Sequence, residues 1–236
     1  KRTAMKPYGR KIKKQVGEIL ALGNRSQALN RLAQIPDAQL IGHLFSYFYN
    51  KEELIKFRSV TAMGELAARI ADNSMEKARI VMRRIMWNLN DESGGIGWGS
   101  PEAMGEILSK SPPLAREFKC ILFSYLDDKG NHIEHEMLQR GVLWGIGTYL
   151  GTAPQNITDI AREQLQAHLS STDPIKRAYA LRALSNARVL EYMLVPDFIQ
   201  ADKTTIDIYT GWDFTATRIS DMVHACTPEH VVAGNE

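Results

Sequence analysis

LQAHLSSTDPIKRAYALRALSNAR, residues 165–188, decides the fold. An apolar helical segment runs up to Asp173-Pro174. That pair reads as a helix N-cap followed by proline at the first helical position, where its missing N–H costs nothing. A basic residue comes next. Ala178, Ala180 and Ala183 then stand where a neighbouring helix can approach closely, and a turn ends the unit.

Working outward, related units stand at 51–67 (KEELIKFRSVTAMGELA) and 135–151 (HEMLQRGVLWGIGTYLG). Each has a basic or polar residue near the helix start and an apolar run. Each then has a small residue, Gly64, Gly147 or Ser185 across the three units, at a close-packing place. Segment 74–89 is a degenerate fourth copy. Recurrence of one helical unit is the sign of a repeat architecture. DPIKRAYALRALSNAR resembles the second helix of a HEAT-like repeat, of the short kind named after the phycobilisome lyases. The resemblance implies an all-α fold: antiparallel helix pairs, about four or five, stacked into a curved α-solenoid. It spans about two-thirds of the chain and is clear only at 165–188. It says almost nothing about chemistry.

Helical periodicity fills in the rest. A basic helix over 8–22 buries Ile12, Val16, Ile19 and Leu20. A short one covers 25–34. Asp37 is expected to cap an aromatic-rich helix containing Phe45 and Phe48. A longer helix spans 52–71. Asn73 with Glu76 three residues on suggests a capping box for the next. Ser100-Pro101-Glu102 reads as N-cap, first helical residue and an acid at the positive end of the macrodipole. That helix ends near Lys110. Further helices are expected at 114–127, 132–150, 156–170 and 174–187. Beyond Pro196 the pattern changes. Residues 203–210 and 214–219 are β-branched and aromatic and flank Gly211-Trp212-Asp213, a hairpin signal. The expected division is a repeat domain over 1–195 and an extension over 196–236. The extension carries a β-hairpin around 204–219 and a short helix at 220–226, and it is expected to cap the repeat end.

At 236 residues, with 44% apolar and 24% charged content, the chain is globular rather than disordered. Net charge is only +2. Seven basic residues (Lys1, Arg2, Lys6, Arg10, Lys11, Lys13, Lys14) crowd positions 1–14 with no acid among them. Such an arm suits nucleic acid or anionic lipid, or is simply a solvated terminus. The chain opens at Lys1 without Met, which leaves residues upstream open. Cys120 and Cys226 form no disulfide framework and no metal spacing, and Cys120 is expected to be buried. No signal peptide is evident, and no apolar run reaches the roughly 18 residues of a membrane span. The expected compartment is the cytoplasm.

The most locally specified stretch is WNLNDESGGIGWGSPEAMGE, 87–106. Gly94, Gly95, Gly97 and Gly99 allow close approach of a ligand to the main chain. The loop is no P-loop. It follows a helix, lacks the Lys-Ser/Thr ending, and carries Asp91 and Glu92, which repel phosphate. An acidic loop with two tryptophans suits a cationic or amide-rich partner. The bland alternative is a tight interhelical corner covered by Trp98. The expected partner site is Trp87, Asn88, Asn90, Asp91, Glu92 and Trp98, supported by Glu102, with no catalytic residue, cofactor or metal.

Two other groupings compete. His132 and His135 are three apart, near Asp128 and Glu136, and could share a metal. HEAT-like proteins include a di-iron hydroxylase with repeated His-Glu pairs, but this chain has one such pair, His135-Glu136. Arg79, Arg83 and Arg84, with the N-terminal arm, could hold a nucleic-acid backbone, or pair with nearby acids. The leading expectation is a non-enzymatic protein-binding scaffold. The alternatives are a cofactor lyase or chaperone of the bilin-lyase type, needing an apolar pocket walled by Trp144, Trp98 and Tyr149, and a nucleic-acid binder.

Overall fold

The computed structural model describes residues 7–90 and 97–224. The chain is mostly helical, with one two-stranded antiparallel sheet. Helices α1 (Pro7–Leu20), α2 (Arg25–Leu32) and α3 (Asp37–Tyr47) lead into the long α4 (Glu53–Asn73). Then come α5 (Met75–Asn90), α6 (Ser100–Lys110), α7 (Pro112–Ser124), α8 (Glu136–Leu150), α9 (Asp159–His168) and α10 (Pro174–Asn186). A short α11 (Asp197–Gln200) precedes strands β1 (Thr205–Thr210) and β2 (Asp213–Arg218) and helix α12 (Ile219–His224).

The expected apolar stripes are the buried ones. Ile12, Val16, Ile19 and Leu20 of α1 and Phe45 and Phe48 near the end of α3 all enter one core. Helices α4, α6, α8 and α10 pack side by side in that order, while α3, α5, α7 and α9 lie against them. The inner helices are buried on nearly all sides, so their mutual approach depends on small residues. Gly64 of α4 lies against Glu106 of α6, and Gly147 of α8 against Ala183 of α10, as their sequence positions suggested. The tightest crossing is between α6 and α8. A Cβ on Gly105 would stand 2.3 Å from the carbonyl oxygen of Gly145.

The hairpin forms where expected, with a turn one residue shorter: Thr210 pairs with Asp213 around Gly211-Trp212, and the Gly211 φ of +73° suits glycine. It is not confined to the end of the helical series. It packs on α10 and also reaches back to α4. Tyr209 stacks on Phe57 of α4 and shares a hydrogen bond with Thr61. Trp212 donates its indole N–H to the Leu22 carbonyl at 2.7 Å. Buried Arg58 donates to the carbonyls of Trp212 (2.8 Å) and Leu20 (3.0 Å).

Several local expectations fail because a tertiary partner wins. Asp37 is the first residue of α3, not its cap, and its carboxylate accepts from Arg69 at 2.6 Å. Asn73 ends α4 instead of starting α5, and Glu76 is held by Arg79 and Arg83. The cap of α6 is Gly99, at φ +72°, where a Cβ would stand 3.0 Å from Phe48. Ser100 lies inside the helix with a buried hydroxyl that makes no hydrogen bond among the described residues. Cys120 is exposed, because it falls on the outer side of α7; Cys226 lies outside the described residues.

Candidate functional site

Because α4, α6, α8 and α10 run side by side, their first turns come together at one end of the inner layer. They enclose a groove of about 330 Å³ whose lining includes Glu53, Lys56, Glu102, Arg140, Gly141 and Tyr179. Thr204 and the first residues of β1, Thr205 to Asp207, close its other side. A second cavity of about 320 Å³ adjoins it through the shared residues Glu53, Lys56 and Met137, and extends past Trp98, Tyr49 and Asn50.

Glu102 is the unusual member. It is 5% exposed, in the first turn of α6. Lys56 Nζ stands 3.7 Å from its Oε1 and 3.7 Å from Glu53 Oε1, and lies over the Phe57 ring. Its other oxygen, Oε2, is buried and has no hydrogen-bond partner among the described residues. The carboxylate fits there only because residue 141 is glycine: a Cβ would come within 2.7 Å of Oε2. A buried carboxylate oxygen without a hydrogen bond is costly, about 1–3 kcal/mol or more.

The neighbours are fixed. Arg140 donates to Asp173 Oδ2 at 2.6 Å, while Asp173 Oδ1 caps α10 by accepting from the Ile175 N–H. Burial, reinforced by the negative charges of Glu53 and Glu102, drives the Tyr179 phenol far above its ordinary pKa, against the opposing pull of Arg182 and Arg140. It therefore remains a neutral hydroxyl. Trp98 is half-buried and meets His135 edge-on, with ring centroids 5.4 Å apart. The groove thus combines fixed charges, a neutral hydroxyl, apolar side chains and the start of a strand.

Of the expected partner site, Trp98 and Glu102 line adjoining cavities. Trp87 is 72% exposed and lines neither cavity. Asn90 is the exposed last residue of α5. Asn88 is half-buried, with its carbonyl pressed on Gly97, where a Cβ would stand 2.5 Å away. Asp91 and Glu92 lie outside the described residues. Lys56, Gly141 and Tyr179 were missed. A signal for Lys56 was present: it is the basic residue near the start of its repeated unit, as Arg140 is in another.

The competing groupings resolve into separate contacts. His132 Nε2 bonds Gln139 at 3.0 Å and its Nδ1 stands 3.2 Å from Asp128 Oδ1 without a hydrogen bond, whereas His135 faces Trp98. No group of three or more metal-ligating side chains forms among the described residues. Arg79 donates two bonds to Glu117, at 2.8 and 2.6 Å, and Arg83 bonds Glu76. Arg84 lies 4.0 Å over the Phe45 ring. Residues 1–6 of the basic arm are outside the described residues. Trp144, Trp98 and Tyr149 stand in separate places among the described residues, Trp98 lining the cavity beside the groove. Trp144 is in the core against Phe57 and Tyr209, and Tyr149 edges a cavity by α7. A cavity of about 460 Å³ between α3 and α5, lined by Ile41, Ile70, Ile80 and Val81, includes no buried unpartnered polar atom. Among the described residues no helix is long and apolar enough to cross a membrane.

No protein-family model matches the chain. An uncharacterised protein of Archaeoglobus fulgidus is 25% identical over 186 residues, covering 76% of this chain and 91% of that protein. Among solved structures, the crystal structure of an engineered protein aligns with a TM-score of 0.43 and 16% identity, over 75% of this chain and 79% of that one. Neither match carries a function to this chain.

Proposed function

We propose that the chain is a non-enzymatic binding module: a HEAT-like helical-repeat scaffold that presents the groove at the inner-helix N-termini to a protein partner. The sequential packing of α4, α6, α8 and α10 supports the solenoid-like stacking. The observation that carries the binding role is Glu102, a buried carboxylate with unfilled hydrogen-bond capacity lining an open groove. Trp98 and Met137 supply the apolar surface that desolvates a contact there, and an aromatic anchor beside a charge is favoured at binding hot spots.

The test is selection from a displayed library of random peptides of about ten residues, long enough for a strand of about five or six. The full chain is the bait, and each binder is re-measured on Trp98→Ala. Loss of a half-buried tryptophan anchor is expected to weaken binding at least about tenfold, an effect of hot-spot size. Thermal melts confirm that the variant is folded. If no binder emerges, or the binders ignore Trp98→Ala, the groove is not the binding site.

A further inference from the structure

The side of the groove opposite the helices is formed by Thr204 and the first residues of β1. β1 has one strand neighbour among the described residues, β2. The Ile219 N–H donates to the Thr204 carbonyl at 3.1 Å, so Thr204 and Ile219 are a hydrogen-bonded pair. With the register Ile206↔Thr217 and Ile208↔Thr215, alternation along an antiparallel ladder turns the N–H and C=O of Thr205 and Asp207 away from β2. Both residues are exposed, and both line the groove. An open strand edge is a template for an added strand.

The charges beside this edge have a sign. Glu53, Glu102 and Asp207 line the groove. Of the two lining cations, Arg140 is already matched by Asp173, which leaves Lys56 alone against three carboxylates. Glu102 also keeps an oxygen without a donor. A cationic side chain answers this excess of negative charge.

Resting on the groove as the binding site, we propose that its occupant is an extended segment of a partner protein. The segment adds to the free edge of β1 and directs a Lys or Arg side chain at Glu102. Main-chain bonds to Thr205 and Asp207 hold the segment, and the cation selects it. The adjoining cavity at Trp98 and Tyr49 takes an apolar residue of the same segment.

The peptides selected on the full chain are the probes. Thr205→Pro removes the outward N–H and blocks the edge, while the β1–β2 bonds are made by other residues. Thr205→Ala is the control. Affinity is expected to fall at least about tenfold in the proline variant and little in the alanine one, with Trp212 fluorescence confirming an intact hairpin. Selected peptides are expected to share one Lys or Arg. Its replacement by norleucine should cost about tenfold on the native chain and almost nothing on Glu102→Gln, the coupling expected of a direct charge contact. Binders that need Trp98 but tolerate Thr205→Pro overturn strand addition and leave the groove as a binding site. Absence of coupling between the cation and Glu102 overturns the assigned specificity. Binders that ignore Trp98 overturn the groove itself.

Discussion

The crossing of α6 and α8 sets the position of Glu102 against Gly141, and it rests on two glycines. In Gly105→Ala the new Cβ would lie 2.3 Å from the Gly145 carbonyl oxygen and 2.4 Å from its Cα. Relaxed contacts of this kind need about 3.5 Å, so the helices must part by about 1 Å. No rotamer change relieves a clash of backbone with Cβ. A gap of 0.5–1 Å forfeits about a quarter to a half of the dispersion energy of each contact it opens, and it opens along the buried row of Pro101, Met104 and Leu108. Overpacking of this kind costs about 3 kcal/mol, the upper end of the usual range. Alanine's better helix propensity returns about 1 kcal/mol. The net expectation is a loss of about 2 kcal/mol, or about 4–8 °C in Tm for a chain of this size. Gly42 is the matched control. It is also within a helix, α3, but a Cβ there meets nothing within 4 Å. Gly42→Ala is therefore expected to stabilise by about 0.5–1 kcal/mol. Equilibrium urea unfolding, compared at the midpoint with a shared m-value, measures both. If Gly105→Ala is as stable as the native chain, the close α6–α8 approach is wrong, and with it the placement of Glu102.

Two further outcomes follow from the buried charges. Lys56→Met strands the Glu102 carboxylate and is expected to destabilise by about 3 kcal/mol, the low end for breaking a buried pair because the contact is 3.7 Å and Lys56 keeps some water. The double variant Lys56→Met/Glu102→Leu should recover most of that loss in the same urea titration; no recovery would mean the two side chains do not interact. Burial, with Lys176 and His132 nearby, holds the His168 pKa below its ordinary 6.5, while Asp128 and Glu136 pull the other way. The folded state then binds its proton less readily than the unfolded chain, so stability is complete above about pH 6.5 and falls as pH drops below it. His43 is depressed in the same direction by burial and Lys13, so the decline is shared. Thermal melts from pH 7.5 to 5 should show a shallower decline in His168→Gln; an unchanged slope would remove His168 from the account.

The helices were legible because their stripes repeat at helical spacing and their stops are Gly, Pro and Asn. The hairpin was legible because β-branched runs flank Gly211-Trp212-Asp213. The caps were less so, since a side chain that suits a cap also suits any nearby opposite charge. Asp37 went to Arg69, and Glu76 to Arg79 and Arg83, partners that only the tertiary fold supplies. The groove was harder still. Its side chains come one or two at a time from four helices and a strand, and none carries a local motif. The loop at 87–102 drew attention through its glycines, and Gly99 does need its left-handed conformation. What that corner positions is Trp98 and Glu102, while Trp87 turns to solvent.

Helix α6 offers an internal comparison for the proposed role of Glu102. It buries two glutamates one turn apart, Glu102 and Glu106. Glu106 has the partners that burial of a carboxylate demands: Thr61 donates to Oε1 at 3.1 Å, and Lys110 lies 3.1 Å from Oε2. Glu102 has a single ion contact at 3.7 Å and one oxygen with no donor. If packing alone set position 102, an apolar residue like Met104 or Ile107 on the same helix would fill it without the cost of desolvating a charge. Gly141 has no Cβ at the one place where it would collide with that carboxylate, so the neighbouring helix is shaped to keep it. Glu106 is explained by the folded chain; Glu102 is left short of partners by it, which is what the proposed binding role would account for.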